Sequence, residues 1–106
     1  MVVDAFAALA EPNRRRILDQ LSRAESSVGE LVETLAVSQP TLSKHLKVLR
    51  EAGFVSCRVA AQQRIYRIET GPLEAFDEWL GPYRQLWAGR PGHRAAPAGG
   101  GWATPG

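Results

Sequence analysis

The stretch Ser38–Arg50, Ser-Gln-Pro-Thr-Leu-Ser-Lys-His-Leu-Lys-Val-Leu-Arg, constrains the fold more than any other part of the chain. Ser38 suits a helix N-cap, because its hydroxyl accepts an amide proton that the first turn leaves unpaired. Leu42, Leu46 and Leu49 recur at i, i+4 and i+7 and so share one helical face. Pro40, Thr41, Lys44 and Lys47 fall on the opposite face and Ser43 at its edge, with Gln39 and His45 nearer the apolar stripe. Gly53 follows as a stop signal. The expectation is a short helix with an apolar back and a cationic, hydrogen-bonding front.

Such a front, taken alone, is also what an ordinary solvated helix face looks like. The preceding segment shifts the balance. Ser27-Val-Gly-Glu30 has the S-x-x-E spacing of a capping box, opening a helix that buries Val28, Leu31, Val32 and Leu35. Only Val37 and Ser38 separate that helix from the next. Two short helices joined so tightly, the second cationic near its start, match a helix-turn-helix, whose second helix enters the DNA major groove.

The charge distribution points the same way. The 106-residue chain carries a net charge of only +2. Between Ser38 and Arg67, however, six basic side chains face a single carboxylate, Glu51, a local balance of +5 that leaves −3 for the remainder. Basic charge is concentrated where the DNA-facing elements are expected. One cysteine excludes an intrachain disulfide framework. With no signal-type N-terminus and no apolar run long enough to span a bilayer, a cytoplasmic location is expected.

Residues 2–10 are alanine-rich and helix-prone, with Phe6 and Leu9 three apart. Pro12 fits the first turn of a second helix, whose apolar side is Ile17, Leu18 and Leu21. Arg14, Arg15 and Arg16 stand in its first turns, where the helix dipole disfavours cations. Glu11 or Asp4 is the expected compensation, a DNA phosphate the alternative. After Gly53 the period changes to two: Val55, Cys57 and Val59 form one run, Tyr66 and Ile68 another, consistent with a two-stranded hairpin. Its connection, Ala60-Ala-Gln-Gln63, has none of the Gly or Asn of tight hairpins, so a longer loop is expected. A hairpin after a helix-turn-helix is a wing, and Gln62, Gln63 and Arg64 at its tip are candidates for backbone or minor-groove contact. The fold class is mainly α with a two-stranded β wing, a winged helix-turn-helix. Cys57 is read as a small apolar residue of the hairpin, since a redox switch needs a resolving thiol.

Gly71-Pro72 opens a last helix on which Leu73, Phe76, Leu80, Tyr83 and Trp87 follow at spacings of 3, 4, 3 and 4, joined by Trp79 and Leu86. This aromatic seam either packs on the domain's own core or forms a dimer interface with Phe6 of the first helix; aromatic enrichment favours the interface. Pro82 is expected to kink the helix. The winged domain spans 1–88. From Gly89 to Gly106, six Gly and three Pro make up half of 18 residues, which reads as a disordered tail.

Taken together, Leu9-Ala-Glu-Pro-Asn-Arg-Arg-Arg-Ile-Leu18, Val28-Gly-Glu-Leu31, the run Val37 to Gly53 and Arg64-Ile-Tyr-Arg67 resemble the ArsR/SmtB family of winged-helix bacterial repressors. The resemblance covers about residues 4–88. It implies a homodimer that binds a palindromic operator in its own promoter region and represses transcription. Metal-sensing members carry a Cys-x-Cys pair in the helix before the recognition helix; Leu31-Val-Glu-Thr-Leu35 has no thiol or imidazole. Others place Asp and His ligands on the last helix, where Asp77 has no His nearby. Trp79-Leu-Gly-Pro-Tyr-Arg84 is similar to a branch without recognised metal sites. No metal or other cofactor is expected, and the effector is left unspecified.

The DNA-binding set is therefore Gln39, Pro40, Thr41, Ser43, Lys44, His45, Lys47, Gln62, Gln63 and Arg64, and the partners are double-stranded DNA and a second copy. A winged-helix protein-interaction module docking through the aromatic last helix is the alternative. An enzyme lacks support, because the chain has no nucleophile–base pair, phosphate loop or ligand cluster.

Overall fold

Ser38 caps its helix as the sequence requires, its Oγ accepting from the amide of Thr41 at 3.3 Å. In the computed structural model, which describes residues 2–88, with side chains from residue 5, this helix is the fourth of five. The chain runs α1 (Val2–Leu9), α2 (Pro12–Arg23), β1 (Ser26–Ser27), α3 (Val28–Leu35), α4 (Gln39–Glu51), β2 (Val55–Ala60), β3 (Gln63–Ile68) and α5 (Gly71–Arg84). The tail expected over 89–106, with His93 and Trp102, lies outside the described residues. The chain divides into two units, residues 1–75 and a second beginning at Phe76.

In the first unit, α2, α3 and α4 bury Ile17, Leu18, Leu21, Leu31, Leu35, Leu42, Leu46 and Leu49 in one core. The α3 side of that core is narrower than expected, since Val28 and Val32 are only half-buried. On α1 the buried residues are Ala5 and Ala8, while Phe6 faces out. Small side chains there let the helix backbone approach closely, and the bulky ring is left on the far side.

The ends of α3 and α4 are locked by local chemistry. Ser27 and Glu30 form the reciprocal capping box, each side chain accepting the other's amide proton, at 3.1 and 2.7 Å. At the end of α4, Gly53 takes φ +86° and donates to the Arg50 carbonyl, and Phe54 donates to that of Leu49 at 2.9 Å. These two bonds make a Schellman motif, and the residues at its apolar positions, Leu49 and Phe54, are both fully buried. Phe54 is thus a core residue that strand periodicity did not single out.

Two features of the sheet differ from the sequence expectation. The hairpin connection is a two-residue turn, Ala61-Gln62, with Ala60 paired to Gln63. Both residues have positive φ, 51° and 67°, the backbone that matches strand twist in a tight hairpin. Strand pairing holds them there without Gly or Asn. The sheet also gains a third, two-residue strand: β1 pairs antiparallel with β3, Ser26 opposite Tyr66 and Ser27 opposite Ile65, in the order β1-β3-β2. Ser27 therefore both starts α3 and tethers it to the hairpin.

In the second unit α5 continues through Pro82 and stops at Arg84, with turns to Ala88. The Asp77 carboxylate on this helix pairs with Arg84.

Ala36, in the turn between α3 and α4, sits in the left-handed region at φ 58°, ψ 42°. That conformation costs an L residue about 1–2 kcal/mol, partly offset for glycine by its looser unfolded state. Ala36→Gly should raise stability by about 0.5–1 kcal/mol in guanidinium denaturation; a loss would contradict the strained-turn account.

Candidate nucleic-acid interface

Burial of Leu42, Leu46 and Leu49 sets the rotation of α4, so its other face must be in solvent. Gln39, Pro40, Thr41, Ser43, Lys44 and Lys47 are all exposed. The first turn of this 13-residue helix carries no acidic residue, which leaves the positive end of its dipole unopposed. Thr41 Oγ1 accepts from Ser38 Oγ at 3.0 Å and retains its own proton to donate outward.

His45 is placed differently. It is half-buried, and its Nδ1 lies 3.3 Å from Nη1 of Arg14, which donates to it. The same guanidinium donates through Nε to the Ala8 carbonyl at 2.6 Å and through Nη2 to that of Ala7 at 3.3 Å. Arg14 thus fastens the end of α1 to the middle of α4. Its neighbours act alike: Arg15 donates to the Leu9 carbonyl, and Arg16 to that of Leu35, the last residue of α3. The compensation for three cations at the start of α2 is therefore mostly the negative carbonyl ends of two other helices. Of the expected carboxylates, Glu11 contributes as the N-cap, accepting from the amide of Asn13, and the Asp4 side chain lies outside the described residues. Neither the periodicity nor the charge pattern of the sequence exposes this, because the acceptors are backbone.

On the hairpin, cross-strand partners share a face. Ser56 opposes Arg67 and Arg58 opposes Ile65 on one side; Cys57 opposes Tyr66 and Val59 opposes Arg64 on the other. The first side is charge-matched. Arg58 pairs with Glu25 at 2.7 Å, and Arg67 with Glu69 at 3.1 Å. Ser56 donates to Glu69 at 2.6 Å, and this bond, followed by Arg67, holds the Glu69 carboxyl below its ordinary value. The second side faces α4 at Tyr66 and is not matched. Gln62 at the turn, and Gln63 and Arg64 at the start of β3, are exposed. Among the described residues, three ion pairs form, and none uses Lys44, Lys47, Arg50 or Arg64.

Of the seam residues, Leu73, Phe76 and Leu80 are half-buried, while Phe6, Tyr83 and Trp87 are exposed. Within the second unit, Trp79 and Tyr83 pack with ring centroids 5.1 Å apart.

A family model described as bacterial regulatory protein, arsR family, matches residues 11–56, from the N-cap of α2 into β2. The transcriptional repressor SdpR of Bacillus subtilis is 31% identical over 77 residues, which cover 73% of this chain and 86% of that protein. The chain belongs to the arsR family. The HTH-type transcriptional regulator Rv2034 of Mycobacterium tuberculosis is 42% identical over 71 residues, 67% of this chain; the match spans 66% of that protein's length. Among solved structures, an ArsR-like transcriptional regulator from Rhodococcus sp. RHA1 superposes with a TM-score of 0.71 at 30% identity, covering 84% of each chain. The arsR family is one of transcriptional regulators, not enzymes, and the β2–β3 hairpin is its wing.

Arg14→Ala removes three hydrogen bonds at the junction of α1, α2 and α4. It should destabilise the fold by about 1–3 kcal/mol and raise amide exchange in α1 first. Nitrogen NMR should find His45 as the Nε2–H tautomer in the wild type. Unchanged α1 protection in the variant would contradict the clamp.

Proposed function

We propose that this protein is a DNA-binding transcriptional repressor of the ArsR type, acting in the cytoplasm as a homodimer on a palindromic operator, its own promoter region included. The observation that carries the proposal is the exposed front of α4, whose first turn holds no acidic residue and whose Lys44 and Lys47 form no ion pair among the described residues. On this reading α4 lies in the major groove. Gln39, Thr41 and Ser43 touch bases or adjacent phosphates, Pro40 packs at the groove wall, and Lys44 and Lys47 neutralise phosphate. His45 orients the helix through Arg14 or reaches a phosphate. The wing places Gln62, Gln63 and Arg64 against the neighbouring backbone or minor groove. The names of SdpR as a repressor and of Rv2034 as a regulator support the same assignment.

Base contact and phosphate contact have different signatures. Lys47→Ala should weaken specific and random duplexes alike and reduce the salt slope by about one unit. Gln39→Ala should reduce discrimination by about 1–3 kcal/mol if its amide makes a bidentate base contact. An unchanged ratio of specific to random affinity in Gln39→Ala contradicts its assignment to bases.

Reading two half-sites about 34 Å apart requires a two-fold dimer. The seam of α5, Phe76, Leu80 and Tyr83, with Trp87 in the turns that follow, is the proposed contact, and exposed aromatics such as Trp79 (51%) and Tyr83 (45%) are surface that a partner copy would cover. Phe6 and Leu73 belong to the same expected apolar set. Sedimentation should show a dimer at micromolar concentration, shifted towards monomer by Tyr83→Glu. A wild-type monomer that binds a single half-site tightly would contradict this.

A further inference from the structure

Between α4 and the hairpin lies an open cleft of about 510 Å³. It is lined by Val28 of α3, by Ser43, Leu46, Lys47, Arg50 and Glu51 of α4, and by Tyr66 of β3. Ser43, Lys47 and Arg50 follow one another at i, i+4 and i+7, a single stripe about 10 Å long on α4. Arg50 was not among the residues expected to bind DNA, because it lies in the last turn, far from the end that reads bases. The period of two marks Tyr66 simply as an apolar strand residue.

We infer that this cleft is a binding site for backbone phosphate of the DNA strand that separates the two grooves the protein occupies, with Lys47 and Arg50 as its cations and the Tyr66 hydroxyl beside Arg50. The inference rests on the DNA-binding reading above. If α4 lies in a major groove and the hairpin tip reaches the adjacent minor groove, the sugar–phosphate strand between those grooves must pass between helix and hairpin. The cleft is the space between those two elements.

The charges fit such an occupant. On the opposite face of the hairpin, Arg58 and Arg67 are already paired with Glu25 and Glu69. On the cleft side, Lys47 and Arg50 have no carboxylate within ion-pair distance among the described residues, and Glu51, one turn after Lys47, is the acidic residue lining it. Ser43 adds a hydroxyl donor one turn before Lys47. Burial, reinforced by the Cys57 thiol, holds the Tyr66 hydroxyl above its ordinary value, with Arg50 acting in the opposite sense. The phenol therefore stays neutral at physiological pH and brings no negative charge to the anion. Its ring is buried. The hydroxyl gives Arg50 a fixed neighbour on the hairpin, so a phosphate held there would tie helix and wing to one strand.

The test uses the full chain and operator duplexes in which single phosphates are replaced, one at a time, by neutral methylphosphonate. The wild type should lose about tenfold in affinity at one position per half-site, on the strand between the protected major and minor grooves, in keeping with a charge-assisted hydrogen bond. Arg50→Gln should lose a similar factor on unmodified duplex, reduce the salt slope by about one unit, and lose nothing more on that methylphosphonate duplex. Arg50→Lys should keep most of the slope. Tyr66→Phe, which retains the buried ring, should show a smaller loss at the same phosphate, and the thermal unfolding midpoint of each variant identifies any loss due to misfolding. Wild-type affinity and slope in a folded Arg50→Gln, or additive losses at every phosphate, would overturn the inference while leaving DNA binding intact. Failure of the wild type to bind any duplex would overturn the parent reading as well.

Discussion

The structure depends on the burial of three leucines. Leu42, Leu46 and Leu49 are at most 1% exposed, and each contributes about 1.5–3 kcal/mol relative to an exposed position. Turning α4 about its axis would forfeit that burial, so the rotation of the helix is fixed. Fixed rotation is what makes its polar face a surface of defined chemistry. The Schellman closure at Gly53 and Phe54 then fixes where the chain leaves α4 and enters the hairpin. The recognition face and the wing are thereby held by one continuous piece of core.

Charge is sorted by the same framework. The arginines at the start of α2 turn towards the carbonyl ends of α1 and α3, where they serve as fasteners. Those on the outer face of the hairpin are matched by Glu25 and Glu69. Among the described residues, the cations that form no ion pair with a carboxylate include Lys44 and Lys47 on the front of α4, Arg50 in its last turn and Arg64 near the wing tip. A net charge of only +2 thus coexists with a strongly positive working surface. Glu69, on the opposite, charge-matched face of the hairpin, makes stability depend on pH. Its carboxyl is held below the ordinary value, so the stability it adds is present above the ordinary glutamate range and is lost as pH falls through the lowered value.

The helices were legible because each carries both a period and a cap: Ser27 with Glu30, Ser38, Pro12, and the leucine stripe of α4. The hairpin was legible from its period of two, and its burial fades along the strand from Val55 to Val59, 68% exposed, as the wing leaves the core. Three features were not legible, for physical reasons. The tight turn uses Ala61 and Gln62, residues that do not favour positive φ, because the paired strands impose the conformation. The strand at Ser26–Ser27 is too short to have a period at all. The acceptors of Arg14, Arg15 and Arg16 are main-chain carbonyls, which every residue has. In the candidate site, the exposed front of α4 follows from the stripe alone. The cleft with Arg50 and Tyr66 appears only once β3 is paired, since 16 positions of sequence separate the two.

The central claim is that α4 occupies a major groove while the wing lies over an adjacent minor groove. Dimethyl sulfate footprinting on a duplex selected from a random library tests it directly, because guanine N7 reports the major groove and adenine N3 the minor. The account predicts N7 protection in two half-sites centred about 10 base pairs apart, with N3 protection on their flanks. Bound duplexes with no N7 protection at any position would contradict it.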